Sequence, residues 1–251
     1  MKITFLGTNG WFDTKTGSTI CTLIETKDYF IILDAGNGFY KLAKYIKNEK
    51  PIYLFLSHFH LDHIIGFHAK NKFNFKQGIS IYGQKGIKYI LNKIINQPFT
   101  VPFKHKWMPF NVEINDLSKQ KNNLPFSLVF KPLFHWSFCL GYRFNLEGET
   151  ISYCIDTGPC KNLIALAKNV DLLITECSFK INEYYKNTLL PHLDPETAAM
   201  VAQKAKVKKL ALTHFDASRY QTLKERVEAE KRAKIIFNNT FVAFDEMQIR
   251  I

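Results

Sequence analysis

Ile52-Tyr53-Leu54-Phe55-Leu56-Ser57-His58-Phe59-His60-Leu61-Asp62-His63 decides the reading of this chain. The first five residues form a continuous apolar run, the mark of a strand buried on both faces of its sheet. The chain then turns polar at once. A loop leaving such a strand can turn His58 and His60 one way and Asp62 and His63 the other, so a few residues supply two adjacent partial coordination spheres. Neutral imidazole and carboxylate suit zinc, and also iron or manganese. Half of the chain's eight histidines lie in or near this stretch, and the order HxHxDH is too demanding for a chance polar loop.

Outward from it, the N-terminal side alternates strands with sharp turns. Ile3–Leu6, Thr19–Glu25 and Tyr29–Leu33 are rich in β-branched and aromatic residues. Asn37-Gly38 opens an amphipathic helix expected from Phe39 to about Asn48, ended by Pro51. On the C-terminal side come a strand at Ile79–Tyr82, a helix at Gly86–Ile95, and a Pro- and aromatic-rich loop from Gln97 to Phe110. Strands are expected at Ser127–Leu133, Gly141–Phe144 and Ile151–Ile155, with Glu147-Gly148 as a hairpin turn. The last third alternates helix and strand: Pro159–Lys168, Asp171–Thr175, a helix from Pro195 capped by Asp194, Lys209–Thr213, a charged helix, then Phe241–Ala243 and Met247–Ile251. Without linker or long repeat, this order predicts one α/β (α+β) domain over 1–251, built as a four-layer αββα sandwich.

Polar residues collect at strand ends, where a rigid sheet can present them to one cleft. His135 follows the strand Ser127–Leu133, Asp156 ends Ile151–Ile155, and His214 ends Leu210–Thr213. With His58, His60, Asp62 and His63 they make seven candidate ligands. This set resembles the metallo-β-lactamase superfamily over the whole chain, from Phe5-Leu6-Gly7-Thr8 and Leu33-Asp34-Ala35-Gly36 to the C-terminus. The resemblance implies two metal ions, zinc by default with manganese or iron as alternatives. His58, His60 and His135 would hold one, Asp62, His63 and His214 the other, with Asp156 bridging. Asp34 would orient the ligand loop by hydrogen bonds.

Within the superfamily the chain is most similar to the ribonuclease Z and phosphodiesterase branch. Leu212-Thr213-His214-Phe215 followed by Ser218-Arg219-Tyr220, Phe237-Asn238-Asn239-Thr240 with Ala243-x-Asp245-x-Met247, and Leu140-Gly141-Tyr142-Arg143 carry that likeness. Three features depart from it. The long Gly/Pro-rich arm that grips tRNA in ribonuclease Z would lie between the Gly-Tyr-Arg motif and Asp156, where only Phe144–Ile155 stands here. Thr175-Glu176-Cys177-Ser178 replaces His-Glu-Ala-Thr, and His192-Leu193-Asp194-Pro195-Glu196 replaces a His-Ser-Thr segment.

The implied reaction is phosphodiester cleavage by a hydroxide shared between two metals, on an RNA 3′ end or a small cyclic or linear phosphodiester. Asp62 and His192 are the catalytic candidates. His192 would contact the phosphate or protonate the leaving oxygen, and Glu176 would support the site from behind. The alternatives are a hydrolase of a thioester, lactone or other carboxyl-type ester at the same metals, and a non-catalytic nucleic-acid-binding module. His68 and His105 have no partner motif and read as structural or surface residues. Phe99, Val101, Pro102 and Phe103 are candidates for the cleft rim.

Bulk properties narrow the setting. The net charge of +12 fits a polyanionic partner such as RNA, or simply a lysine-solvated surface. The basic stretch Lys224–Lys234 interleaves acids with bases, as an exposed helix face does. No apolar run approaches the ~18–20 residues of a membrane span, and the N-terminus reads as a strand rather than a secretory signal. The five cysteines include no CxxC pair and suit reduced, mostly buried thiols. A cytoplasmic protein is expected, and related phosphodiesterases make a homodimer an expectation too.

Overall fold

A computed structural model describes residues 1–119, 123–181, 183 and 191–251. The first half contributes strands β1 (Lys2–Gly7), β2 (Asn9–Gly10), β3 (Cys21–Glu25), β4 (Phe30–Leu33), β5 (Ile52–Phe55), β6 (Ile79–Gly83) and β7 (Val112–Asp116). The second half contributes β8 (Ser127–Pro132), β9 (Leu140–Leu146), β10 (Glu149–Cys154), β11 (Leu172–Glu176), β12 (Lys209–Thr213), β13 (Phe215–Asp216), β14 (Thr240–Val242) and β15 (Met247–Arg250). One sheet has seven strands in the order β15-β1-β3-β4-β5-β6-β7, the other six in the order β14-β12-β11-β10-β9-β8, and β2 pairs with β13 apart from both.

Alternation along the strands explains the layering. Ile31, Leu33 and Phe55 of the first sheet meet Tyr142, Tyr153 and Ile174 of the second in one buried cluster between the sheets. Their neighbours Phe30, Ile32 and Leu54 point the other way, into a second cluster with Phe39, Leu42, Ile87 and Leu91. On the far side Leu173, Leu210 and Leu212 pack under Leu163, Ala198, Ala202 and Ala229. Because successive side chains face opposite sides of a strand, each central strand feeds two cores. The result is the expected four layers, helix–sheet–sheet–helix.

Among the described residues the helices are α1 (Leu42–Tyr45), α2 (Leu61–Ile64), α3 (Ile87–Ile94), α4 (Lys161–Ala167), α5 (Pro195–Ala205) and α6 (Leu223–Ile236). Asp194 caps α5 as expected, its carboxylate accepting from the Thr197 N–H at 2.7 Å, with Pro195 in the first turn. Thr222 and Glu225 form a capping box at α6. The Glu147-Gly148 turn joins antiparallel β9 and β10 with positive φ at both positions, 53° and 87°.

Three expectations need correction. The helix expected over Phe39–Asn48 is a 3-10 stretch, Asn37–Lys41, followed by the single turn of α1. Ile46 is extended there and buried, because the chain must return to pair β5 beside β4. The His/Asp loop after β5 continues into α2 and a 3-10 stretch, Ile65–Lys72. Strand β7, inside no expected element, alternates apolar and polar residues at the sheet edge, where one polar face is tolerated.

All five cysteines are free, and all but Cys160 are buried. Among the described residues no helix is long and apolar enough to cross a membrane.

Candidate metal centre

Several candidate residues stand just past the C-terminal end of a strand. Asp34 follows β4, His58 follows β5, Asp156 follows β10 and His214 follows β12. Three of them, Asp34, Asp156 and His214, take left-handed backbone with φ of 57°, 52° and 50°. Non-glycine residues adopt that region at a cost and mostly where surrounding structure holds them. Here it bends the chain sharply as it leaves the sheet.

The ends converge. His58, His60, His135 and Asp156 each offer a ligand atom within 4.8 Å of the others, and so do Asp62, His63 and His214. The groups touch. Asp156 Oδ2 lies 3.3 Å from His58 Nε2 and 3.0 Å from His63 Nε2, while its Oδ1 lies 3.3 Å from His214 Nδ1. His63 Nε2 is 3.1 Å from His214 Nε2, and Asp62 Oδ2 is 3.5 and 3.4 Å from those two atoms. All seven predicted ligands are thus in one cluster, with Asp156 between its halves.

Asp34 is fully buried behind the cluster. Its carboxylate accepts from the Ser57 N–H at 2.7 Å, the Ser57 hydroxyl, and the Tyr153 hydroxyl at 2.8 Å, and it sits 3.0 Å from His63 Nδ1. Contact through Nδ1 leaves Nε2 of His63 facing the cluster. Glu176, also buried, lies 3.1 Å through both oxygens from His192 Nδ1, and accepts from the N–H groups of Thr157 and Leu193. His192 is further 3.7 Å from Asp156 Oδ1, at the edge of the cluster.

The electrostatics suit a cation. Although burial opposes charge on Asp62 and Asp156, the surrounding imidazoles hold both carboxyl groups well below the usual carboxylate range. Burial keeps His58 neutral and pushes His135 down to about 4, so both rings are in the form that donates a lone pair. For His63, burial is outweighed by the Asp62 and Asp34 carboxylates, and for His214 by Asp156 and Asp62; both are raised. The cluster therefore concentrates negative charge that these imidazoles only partly offset.

A sharper test lies in hydrogen bonding. Buried polar atoms are rarely left without a partner. His58 Nε2 and Asp156 Oδ1, both turned into the cluster, make no hydrogen bond, although each lies 3.3 Å from another atom of the cluster. Unpaired nitrogen and oxygen donors of this kind, grouped with further His and Asp atoms, fit a divalent metal.

The cluster floors a cleft of about 540 Å³ lined by His60, Asp62, His135, Asp156, His192 and His214, with Gly10, Trp11, Trp136 and Ser178 above. Its aromatic rim corrects the sequence expectation. Phe103 is buried in the helix-side core, and Phe99, Val101 and Pro102 do not line the cleft. Trp11 and Trp136, 67% and 71% exposed, do. Sequence reasoning missed them, along with Gly10, where a Cβ would fall 2.5 Å from the His214 ring. The one signal was an apolar Trp-Phe pair just after a Gly turn. His68 and His105 stand apart as expected, contacting Thr100 and the Trp107 N–H. Arg219 pairs with Asp216 and Glu183 and Tyr220 donates to the Phe179 carbonyl, so the Ser-Arg-Tyr segment serves the local fold.

A two-sheet sandwich with a His/Asp cluster at its strand ends defines a class, and comparison agrees. The family model of the beta-lactamase superfamily domain matches residues 29–215, and the chain belongs to that superfamily. Among particular relatives, the chain is 26% identical to a ribonuclease Z of Bacillus velezensis, covering 100% of this chain and 99% of that protein. It is 43% identical to the ribonuclease Z of Protochlamydia amoebophila over 99 residues, 39% of this chain and 31% of that one. The crystal structure of the metallo-beta-lactamase fold protein YhfI from Bacillus subtilis superposes with a TM-score of 0.80 at 25% identity, covering 99% of this chain and 98% of that one. Relatives named as a nuclease and as a metallo-hydrolase accord with the hydrolase expected from sequence.

Proposed function

We propose that the chain is a single-domain hydrolase that holds two metal ions, zinc by default, and cleaves phosphodiester bonds. One observation carries the reading: Asp156 stands between two His/Asp groups and reaches both, 3.3 Å from His58 and 3.0 Å from His63. His58, His60, His135 and Asp156 would hold one ion, and Asp62, His63, His214 and Asp156 the other. A bound metal pair supplies Lewis acidity, which makes hydroxide available near neutral pH and offsets the charge that builds on a phosphate under attack. The names of the ribonuclease Z relatives favour phosphodiesters over carboxyl-type esters as substrates.

The residues of the chain do the rest. Asp34 and Ser57 orient His63. Burial lowers the pKa of His192, but the Glu176 and Asp156 carboxylates beside it raise it to about 9. His192 therefore carries a proton at neutral pH, at the mouth of the cleft. It can bind a phosphate oxygen or give that proton to a leaving oxygen. Trp11 and Trp136 offer aromatic surface to a base on the substrate.

The test is hydrolysis of bis(p-nitrophenyl) phosphate by metal-loaded protein, beside an Asp62→Ala control and nitrocefin as a carboxyl-type substrate. Metal-dependent turnover of the diester, lost in the control, is expected. Nitrocefin turnover without diester turnover would move the activity to carboxyl-type substrates. Metal analysis of the same samples checks the two-ion stoichiometry and separates zinc from manganese or iron.

A further inference from the structure

Some lysines of this protein are paired with acids. Lys2, Lys41, Lys50, Lys180, Lys231 and Lys234 each lie within 4 Å of a carboxylate. Other lysines have no such partner, and one groove gathers four of them. A groove of about 770 Å³ between α3 and β7 is lined by Lys85, Lys88, Lys93 and Lys119, none of which has an ion-pair partner among the described residues. Its acid, Asp116, accepts from the Ser118 N–H and hydroxyl at 2.9 and 2.6 Å and from the Gly86 N–H at 3.2 Å, and is further stabilised as an anion by the charge of Lys119, leaving Lys85, Lys88 and Lys93 without an acid among the described residues. Tyr89, 71% exposed, stands among the lysines.

The position of this groove matters as much as its charge. β6 lies beside β5 in parallel register, so Lys85 leaves the same sheet edge as His58, one strand away. A second cavity, of about 610 Å³, runs from Lys85 and Gly86 to Phe138 and Leu140. Phe138 is exposed, and it lies two residues beyond Trp136 on the loop that carries His135 into the metal cleft. Cleft, exposed aromatics and lysine groove thus follow one another along one edge of the molecule.

We propose that the α3–β7 groove binds the sugar-phosphate backbone of a single-stranded RNA whose scissile phosphate lies in the metal cleft. The placement rests on the phosphodiesterase reading; the groove itself does not. Spaced, unpaired ammonium groups attract successive phosphates, and aromatic rings between them stack on bases without reading sequence. A small diester would occupy the cleft and gain nothing from lysines this far along the edge. The groove lies on the sandwich itself, so it requires no separate arm.

The experiment uses the metal-loaded full chain and a fluorescent phosphorothioate oligoribonucleotide of about a dozen nucleotides, titrated by anisotropy at several salt concentrations. A Lys85→Ala/Lys88→Ala variant is expected to bind about tenfold more weakly at low salt. Each phosphate contact on a single strand contributes about 0.7 to the slope of log affinity against log salt, so this variant should lose about 1.4 of that slope. Lys231→Ala/Lys234→Ala, with the same change in net charge on the paired face of α6, should change neither quantity. Equal losses in both variants, or none in the first, would overturn the proposal. So would a loss confined to phosphatidylserine vesicles, which would make the surface a membrane contact. Bis(p-nitrophenyl) phosphate turnover should be the same in all three proteins. If wild-type protein lacks that turnover while the groove variant still weakens RNA binding, the docking surface stands and the phosphodiesterase reading falls.

Discussion

The backbone N–H of Trp11 donates to Oδ2 of Asp62 at 2.8 Å, across 51 residues of sequence. Trp11 has φ 73°, so a strained residue in one loop aims a carboxylate in another. The strain is held from beneath. The buried guanidinium of Arg226 donates to Thr8 Oγ1 at 2.9 Å, Thr16 Oγ1 at 3.0 Å and Asn9 Oδ1, and lies 4.7 Å from the Phe215 ring centre. Asn9 in turn donates to the carbonyls of Phe12 and Gly17, tying the loop that carries Trp11.

Arg226→Ala should therefore destabilise the fold by about 3 kcal/mol, the scale of losing charge-assisted hydrogen bonds and leaving buried acceptors unpaired. Urea denaturation would show a lower midpoint at unchanged slope. Arg226→Lys should recover little, because one ammonium cannot reach three acceptors from a planar fork.

Gly10→Ala should leave the fold intact and damage the centre. The added methyl would sit 2.5 Å from His214 Cε1, so the imidazole must move. The expected result is loss of about one metal equivalent with little change in the circular dichroism spectrum; full metal content would refute the contact.

Asp34→Ala should weaken metal binding about 10- to 100-fold, as removal of a group that orients a ligand typically does. It also leaves the Tyr153 hydroxyl and Ser57 N–H without their acceptor, a further cost of about 1–3 kcal/mol. Asp34→Asn tolerates the left-handed backbone but cannot bind as an anion, so it should be intermediate in a competitive chelator titration.

His192 and Glu176 should show a defined pH signature. The pKa of His192 is raised to about 9 against an ordinary value near 6.5. The folded state thus binds more protons than the unfolded one between those values. The stabilisation is complete below about pH 6.5 and fades as pH rises through about 9. In Glu176→Gln the resonance of His192 should titrate well below 9, and the loss of stability over that window should shrink. His192→Ala should lower kcat by on the order of 100-fold with metal content unchanged; an unchanged kcat would remove His192 from the mechanism.

Sequence order alone made the strand Ile52–Leu56, the His/Asp run from His58 to His63, the Asp194-Pro195 helix start and the Glu147-Gly148 turn legible. Each rests on local chemistry: an apolar run, metal-ligand spacing, a cap, or positive φ at a two-residue loop. The three distant candidate ligands, His135, Asp156 and His214, were legible because strand ends punctuate hydrophobic runs. The short α1, the edge strand β7 and the burial of Phe103 were not, because pairing and packing with distant elements decide them.

Local sequence determined which residues carry donor atoms and which strands deliver them. Tertiary structure decided how they meet. Asp156 lies between His58 and His214 because parallel strands from two sheets end at one edge. Trp11 supports Asp62, and Trp136 lines the cleft in place of Phe99, because of how loops far apart in sequence fold over that edge. Hydrophobic periodicity reports the sheet on which a residue stands. The distance between two loop residues depends on the twist, order and packing of whole sheets, which no local pattern contains.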